Sequence, residues 1–244
     1  MNQNLKQKIG YFITGTDTGI GKTLVASALL YSMTQLGMRS AGIKAVAAGA
    51  ELRDGVWRNE DADCLAEASS VALPPELATP YLLRDAAAPH IAAEQEDVKI
   101  ELLHIRSCYD QVCQLADAVV VEGIGGFRVP LSDRFDTSDL AQHLGLPVIM
   151  VVGMRLGCLN LALLTAEAIA ARGLKLAGWI ANTGEQGMRH ELANIAALTE
   201  RLPAPLIGCI PRLEGALASA AAPHLDFSCL PGWPSTRATH ANLL

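Results

Sequence analysis

The chain has 244 residues, of which 50% are hydrophobic and 18% charged, with a formal net charge of −6 at pH 7. That length suffices for one α/β domain with a large core, and no Lys/Arg cluster marks a nucleic-acid or membrane surface. The six cysteines (64, 108, 113, 158, 209 and 229) form no CxxC pair and no metal-type spacing, so free thiols in a reducing compartment are expected.

In chain order, Lys6 and Lys8 are not followed by an apolar run long enough for a signal peptide. A short apolar strand is predicted at 9–14. It runs into Gly15-Thr16-Asp17-Thr18-Gly19-Ile20-Gly21-Lys22-Thr23, and a helical pattern follows at 24–36 with Val25, Leu29, Met33 and Leu36 on one face. A Gly-rich turn between strand and helix, closed by Gly-Lys-Thr, is suited to phosphate. Its N–H groups turn inward and the helix start adds positive potential. Lys22 is placed to reach the β- and γ-phosphates, and the Thr23 hydroxyl to take magnesium. ATP or a similar nucleotide is the implied ligand. Gly15 and Gly21 enclose five residues where the usual phosphate loop has four, so Thr16 takes the place of the usual first Gly. Asp17 stands where the partitioning ATPases of this broad group carry a signature Lys.

A second strand is predicted at 39–43 and ends at Lys44. A Lys there points over the phosphate loop, where it would stabilise charge on a transferring phosphoryl group. A helix follows at 61–68. Its first residue, Asp61, lies in an acidic run that by itself reads as capping and dipole partners. After a helix at 100–116, the strand 118–122 is apolar throughout and ends at Glu122. Gly123-Ile124-Gly125-Gly126 comes next, so a carboxylate beside the phosphate loop is placed to hold magnesium directly or through water. A helix at 137–144 precedes a strand at 147–152. The stretch 146–154 around it is the longest strongly apolar one and is too short to cross a bilayer. A cytoplasmic protein is expected. Beyond a helix at 159–172 comes a strand at 176–181. Asn182 at its carboxyl end offers a donor and an acceptor to the edge of an adenine. A helix at 188–201 and a strand at 205–210 complete the pattern. The tail from 225, with Pro231, Gly232 and Pro234, reads as loosely ordered.

Strands alternate with helices, and runs such as Val119-Val120-Val121 and Val148-Ile149-Met150-Val151-Val152 are apolar on both faces. Buried parallel strands give such runs. The expected fold is therefore an α/β, doubly wound, mostly parallel sheet with helices on both faces, of the P-loop NTPase type. It would form one ATP-binding domain over 1–224 with a tail over 225–244. Ligands then bind at the carboxyl ends of the strands. On the residues alone, an enzyme and a nucleotide switch that regulates a protein or membrane partner both fit. The missing signature Lys and the lack of a basic amphipathic terminal helix count against the switch.

Taken together, these motifs resemble the dethiobiotin synthetases, the ATP-dependent ring-closing enzymes of biotin synthesis. The resemblance is carried by the loop with its extra residue and by Ala41-Gly42-Ile43-Lys44. It continues in Val121-Glu122-Gly123-Ile124-Gly125-Gly126, Pro130-Leu131-Ser132-Asp133, Gly157-Cys158-Leu159-Asn160, Ala177-Gly178-Trp179-Ile180-Ala181-Asn182 and Pro203-Ala204-Pro205-Leu206, from about residue 9 to about 213. It implies that 7,8-diaminononanoate and CO2 (or bicarbonate) are joined at the expense of ATP with Mg2+. One amine becomes a carbamate, the carbamate takes the γ-phosphoryl group, and the second amine displaces phosphate to close the cyclic urea. By the same resemblance Lys22 and Lys44 are catalytic, and Thr23, Asp61 and Glu122 hold the metal. Thr18 and the backbone of Gly19, Ile20, Gly21, Lys22 and Thr23 bind phosphates. Gly123, Asn182, Thr183, Pro211, Arg212 and Leu213 belong to the nucleotide site. Thr18, Lys44 and Ala48 face the substrate, and Gly157, Cys158, Leu159 and Asn160 bind the substrate carboxylate of the neighbouring subunit. A homodimer with sites at its interface is implied. Two positions depart from the family: the usual Pro after the second Lys is Ala45, and the usual hydroxyl residue four after it is Ala48. The departures leave open a related ATP-dependent ligase acting on another substrate.

Overall fold

The computed structural model describes residues 8–184, 187–215 and 217–234. β1 (Ile9–Gly15) leads into α1 (Lys22–Gln35) and then β2 (Ser40–Lys44). Two small pairs follow. β3 (Val46–Ala47) pairs in parallel with β6 (Tyr81–Leu82), and β4 (Glu51–Arg53) forms an antiparallel hairpin with β5 (Val56–Arg58). Asp54 and Gly55 both have positive φ at the hairpin turn, the backbone that an Asp-Gly hairpin turn requires. α2 (Glu60–Ala68) and α3 (Pro75–Ala78) lie between β5 and β6, and α4 (Pro89–Gln95) and α5 (Leu102–Leu115) between β6 and β7 (Ala118–Glu122). The chain then alternates: α6 (Thr137–Leu144), β8 (Val148–Gly153), α7 (Cys158–Ala171), β9 (Leu176–Asn182), α8 (Glu191–Arg201), β10 (Leu206–Ile210) and α9 (Ala218–Ala221).

Six strands form one sheet in the order β10-β9-β8-β1-β7-β2, and every pairing in it is parallel. Successive side chains of a strand point to opposite faces, and the core divides accordingly. Phe12, Val119, Val121, Val148 and Met150 join one apolar cluster, while Tyr11, Ile13, Val120, Ile149 and Val151 join the other. Residues from α4 to α8 cover the first face, and α1 with Leu65 of α2 covers the second. This is the doubly wound arrangement expected from the apolar runs. Six of its strands and six of its helices were foreseen within a few residues, whereas the two small pairs, α3, α4 and α9 were not.

Residues 225–234 differ from expectation. Phe227 and Leu230 are buried in the second cluster, Trp233 packs against it, and Tyr11 Oη donates to the Pro231 carbonyl at 2.8 Å. A Cβ at Gly208 would collide with the His224 carbonyl, so Gly208 lets this segment lie against the edge strand, where it makes a bridge to Leu225. The apolar side chains between the prolines outweigh the loop-like composition. Residues 235–244 of the expected tail lie outside the described residues. No described helix is long and apolar enough to cross a membrane, and the six cysteines are free thiols.

Candidate active site

The phosphate loop is held on two sides. Thr16 N–H donates to Val151 O of β8 at 3.0 Å, and the loop ends in Gly21, the N-cap of α1, with φ 89°. Helix α1 therefore starts at Lys22, earlier than its apolar periodicity suggests, and the first turn carries both Lys22 and Thr23. Lys22 Nζ reaches back to the Asp17 carbonyl at 2.8 Å. The Asp17 carboxylate accepts from the Thr18 N–H at 2.7 Å and pairs with Arg155, beyond β8.

Across from Thr23 stand the ends of β2 and β7 and the head of α2. Lys44 and Glu122 are adjacent in register on the paired strands. Lys44 Nζ lies 2.7 Å from both Glu122 Oε1 and Asp61 Oδ2, and donates to the Gly123 carbonyl at 3.2 Å. Asn59 caps α2: its Oδ1 accepts from Ala62 N–H and its Nδ2 donates to the Ala48 carbonyl at 3.2 Å. That bond ties the helix start to the loop after β3 and turns Asp61 toward the phosphate loop. Thr23 Oγ1 lies 2.7 Å from Asp61 Oδ1 and 2.9 Å from Glu122 Oε1. A hydroxyl carries one proton and can satisfy only one of these acceptors at a time.

Glu122 Oε2 is buried and has no hydrogen-bond partner among the described residues. Burial pushes this carboxyl above its ordinary value although Lys44 opposes the shift. Burial pulls Lys44 down, but Glu122 and Asp61 outweigh it and hold the ammonium above the usual lysine value. The same Lys44 contact, with Thr23, holds Asp61 below the usual carboxylate range against the push of its burial. Lys22 is lowered to about 8 by burial and then by Lys44. Two carboxylates and a hydroxyl that share too few protons, with one buried oxygen unpaired, fit a hard cation of the magnesium type. Such an ion keeps water and phosphate oxygens for the rest of its coordination.

These groups open on a cavity of about 810 Å3, lined by Thr18, Gly19, Gly21, Lys22, Thr23, Lys44, Ala48, Asp61, Glu122 and Asn182 among the residues singled out from sequence. Its other wall is apolar and was not foreseen: Ala86, Ala87, Ala88, Pro89, Ile124 and Val129. The sequence signal for that wall is weak, because small residues ahead of a helix carry no chemistry of their own. Ile124 and Val129 are brought over the cavity by a loop that Thr137 holds, its Oγ1 donating to Phe127 O at 2.7 Å and accepting from Val129 N–H at 3.0 Å.

Other expected residues lie apart. Ile20 is buried beneath the loop and contributes only its backbone. Thr183 turns its hydroxyl to Glu191, 3.1 Å away, and Pro211, Arg212 and Leu213 follow β10 outside the cavity lining. Gly157, Cys158, Leu159 and Asn160 begin α7, also outside that lining. The Cys158 thiol is buried and its N–H already donates to Arg155 O at 3.0 Å. An anion at this helix start would therefore meet the amides of Leu159 and Asn160.

The family described as an AAA domain (AAA_26) matches residues 9–219. The chain is 63% identical over 227 residues to the ATP-dependent dethiobiotin synthetase BioD of Janthinobacterium sp. (strain Marseille), covering 91% of this chain and 96% of that protein. Among solved structures, it resembles a ParA family ATPase from Chlorobium tepidum TLS (TM-score 0.53, 14% identity, 88% of this chain and 90% of the other). It also resembles the MinD cell division protein of Aquifex aeolicus (TM-score 0.52, 14% identity, 90% and 88%). At these identities the structural likeness is one of fold.

Proposed function

From the premise that the chain belongs to the family of ATP-dependent dethiobiotin synthetases, we propose that it converts 7,8-diaminononanoate, CO2 and ATP to dethiobiotin, ADP and phosphate. It is an ATP-dependent ligase of biotin biosynthesis. The observation that carries the finer reading is the convergence of Lys22, Lys44, Thr23, Asp61 and Glu122 in one cavity, opposite a wall of small apolar residues.

In the first step an amine nitrogen bonds to the carbon of CO2 and loses a proton, which leaves a carbamate anion. A carbamate oxygen then bonds to the γ-phosphorus of ATP as the bond to ADP breaks. The second amine attacks the carbamoyl carbon, phosphate leaves, and the cyclic urea forms with loss of a proton. Lys22 and Lys44 place positive charge where the phosphoryl oxygens and the carbamate gather negative charge. Thr23, Asp61 and Glu122 would hold the magnesium ion, which when bound neutralises phosphate charge. The loop amides from Gly19 to Thr23, with Thr18, bind the phosphates. The wall formed by Ala48, Ala86, Ala87, Ala88, Ile124 and Val129 suits the methylene chain of the substrate and keeps water from the reacting end. Asn182, at the cavity edge, faces the base.

The substrate carboxylate, several bonds from the amines, is assigned to the start of α7 in a neighbouring subunit, so two chains would share each site. The test is mass spectrometry of the product after incubation with diaminononanoate, isotope-labelled bicarbonate, magnesium and ATP. The expected product is the cyclic urea with the label in its carbonyl. Phosphate release without a labelled product would overturn the assignment of substrate.

A further inference from the structure

Asn182 is fixed by its backbone before its side chain does anything. Its carbonyl accepts the Met154 N–H at 2.8 Å, and the Thr183 N–H donates to Ile210 O at 3.0 Å, so the end of β9 is tied to both neighbouring strands. From this anchored position Asn182 Nδ2 donates to the Ile20 carbonyl of the phosphate loop at 2.8 Å, although the two residues are 162 apart in sequence. Gly21 comes next, with φ 89°, and a Cβ there would collide with the same Nδ2. The side chain of Ile20 is seated from below, where a Cβ on Gly15 or Gly153 would fall 2.7 Å or 2.6 Å from it. The peptide joining Ile20 to Gly21 is thus held from beneath by packing and from above by one amide.

That peptide sets the direction of the N–H groups that follow it. We propose that Asn182 is a positioning residue for the phosphate loop, and that its loss weakens the binding of a triphosphate whether or not that triphosphate carries a base. The inference rests on the nucleotide reading above but differs from base recognition, which affects only ligands that have a base.

Two variants separate the roles: Asn182→Ala, and Asn182→Asp, which keeps the shape but has no donor to offer Ile20. The first measurement is amide hydrogen exchange on the unliganded full chain. In both variants exchange at Thr16 and Val25, whose N–H groups donate to Val151 O and Gly21 O at the two ends of the loop, should rise about five- to tenfold, the value of one net hydrogen bond, while β8 is unchanged. Unchanged exchange at both, or acceleration spread equally into β8, would overturn the proposal. The second measurement is the Kd of magnesium-ATP and of magnesium-tripolyphosphate by calorimetry. Both should weaken, and a loss confined to ATP would overturn it. Should the unaltered chain bind neither ligand, the nucleotide reading would fall, and the exchange experiment would still decide the clamp.

Discussion

Lys44 Nζ lies 2.7 Å from Glu122 Oε1, and both residues are almost wholly buried, at 2% and 0% exposure. Both charges are out of water, and Lys44 also pairs with Asp61 at 2.7 Å, so the loss of Lys44 is the change that strands a buried charge. Removing Lys44 leaves Glu122 uncompensated, which costs about 3–5 kcal/mol, whereas removing both together costs far less. Lys44→Met should therefore lower stability by that amount, and Lys44→Met with Glu122→Gln should recover most of it. Urea unfolding of the four proteins in the cycle measures this. Additive losses would mean that the pair is not coupled.

Among the described residues Lys22, unlike Lys44, has no carboxylate within hydrogen-bonding reach, and its ammonium donates to the Asp17 carbonyl. Its value falls from 10.5 to about 8. The sign follows directly. The unfolded chain keeps the proton between about 8 and 10.5 while the folded chain has lost it, so this group's contribution to stability rises with pH across that window. Phosphate binding restores the charge. Nucleotide binding a little above pH 8 should then take up protons, and affinity should fall as pH rises further. Calorimetry in two buffers of different ionisation enthalpy reads the proton count. Zero uptake or release would show that Lys22 does not meet the phosphates.

Lys22→Ala should leave the sheet intact and lower turnover by about a hundredfold or more, since a preorganised charge at the transferring group is lost. The side chain ends at a loop carbonyl rather than in the core, so its removal leaves no large cavity. Near-normal turnover in a folded Lys22→Ala protein would remove the phosphate-loop assignment.

Much of this site was legible because its chemistry is local. Residues 15–23 carry their own signal, and Lys44 and Glu122 are each the last polar residue of an apolar strand. What the sequence could not place was the meeting of distant elements. The turning of Asp61 toward Lys44 depends on the bond from Asn59 to the Ala48 carbonyl, and the engagement of Asn182 with Ile20 joins residues 162 apart in the chain. The wall of Ala86, Ala87 and Ala88 was silent for a related reason, since small apolar side chains signal neither period nor chemistry. The segment 225–234 was misjudged because prolines and serines hid Phe227, Leu230 and Trp233, whose burial only the folded edge strand provides.

Ala48 lines the cavity where the family pattern has a hydroxyl. Its carbonyl is already held by Asn59, so the backbone is fixed and a serine there would enter the site without moving the loop. One hydrogen bond to a charged group contributes about 1.5–3 kcal/mol. Ala48→Ser is expected to raise kcat about tenfold or more at saturating ATP. An unchanged or lower kcat would show that water or Thr18 already supplies this contact.

The start of α7 bears on assembly. Its inner side, Cys158, Ala162, Ala166 and Ile169, is buried against its own sheet. The outer side is different: Leu156 is 95% exposed and Leu164 55%. Asn160 and Ala170 are exposed on the same helix. Two large exposed leucines beside a helix start with anion-binding amides suit a contact between two copies in which each supplies the other's carboxylate subsite. The chain is expected to be a homodimer, and Leu164→Arg to weaken it, both read by sedimentation. The shared-site arrangement has its own test. Asn160→Glu puts a like charge beside the substrate carboxylate without disturbing the core, and Lys22→Ala removes the phosphate-loop charge. Each chain alone should be nearly inactive. Mixed, they should form heterodimers in which one site combines an intact loop from one chain with an intact helix start from the other, so that activity reappears. Failure of the mixture to recover activity, with heterodimers present, would place both groups of each site within a single chain.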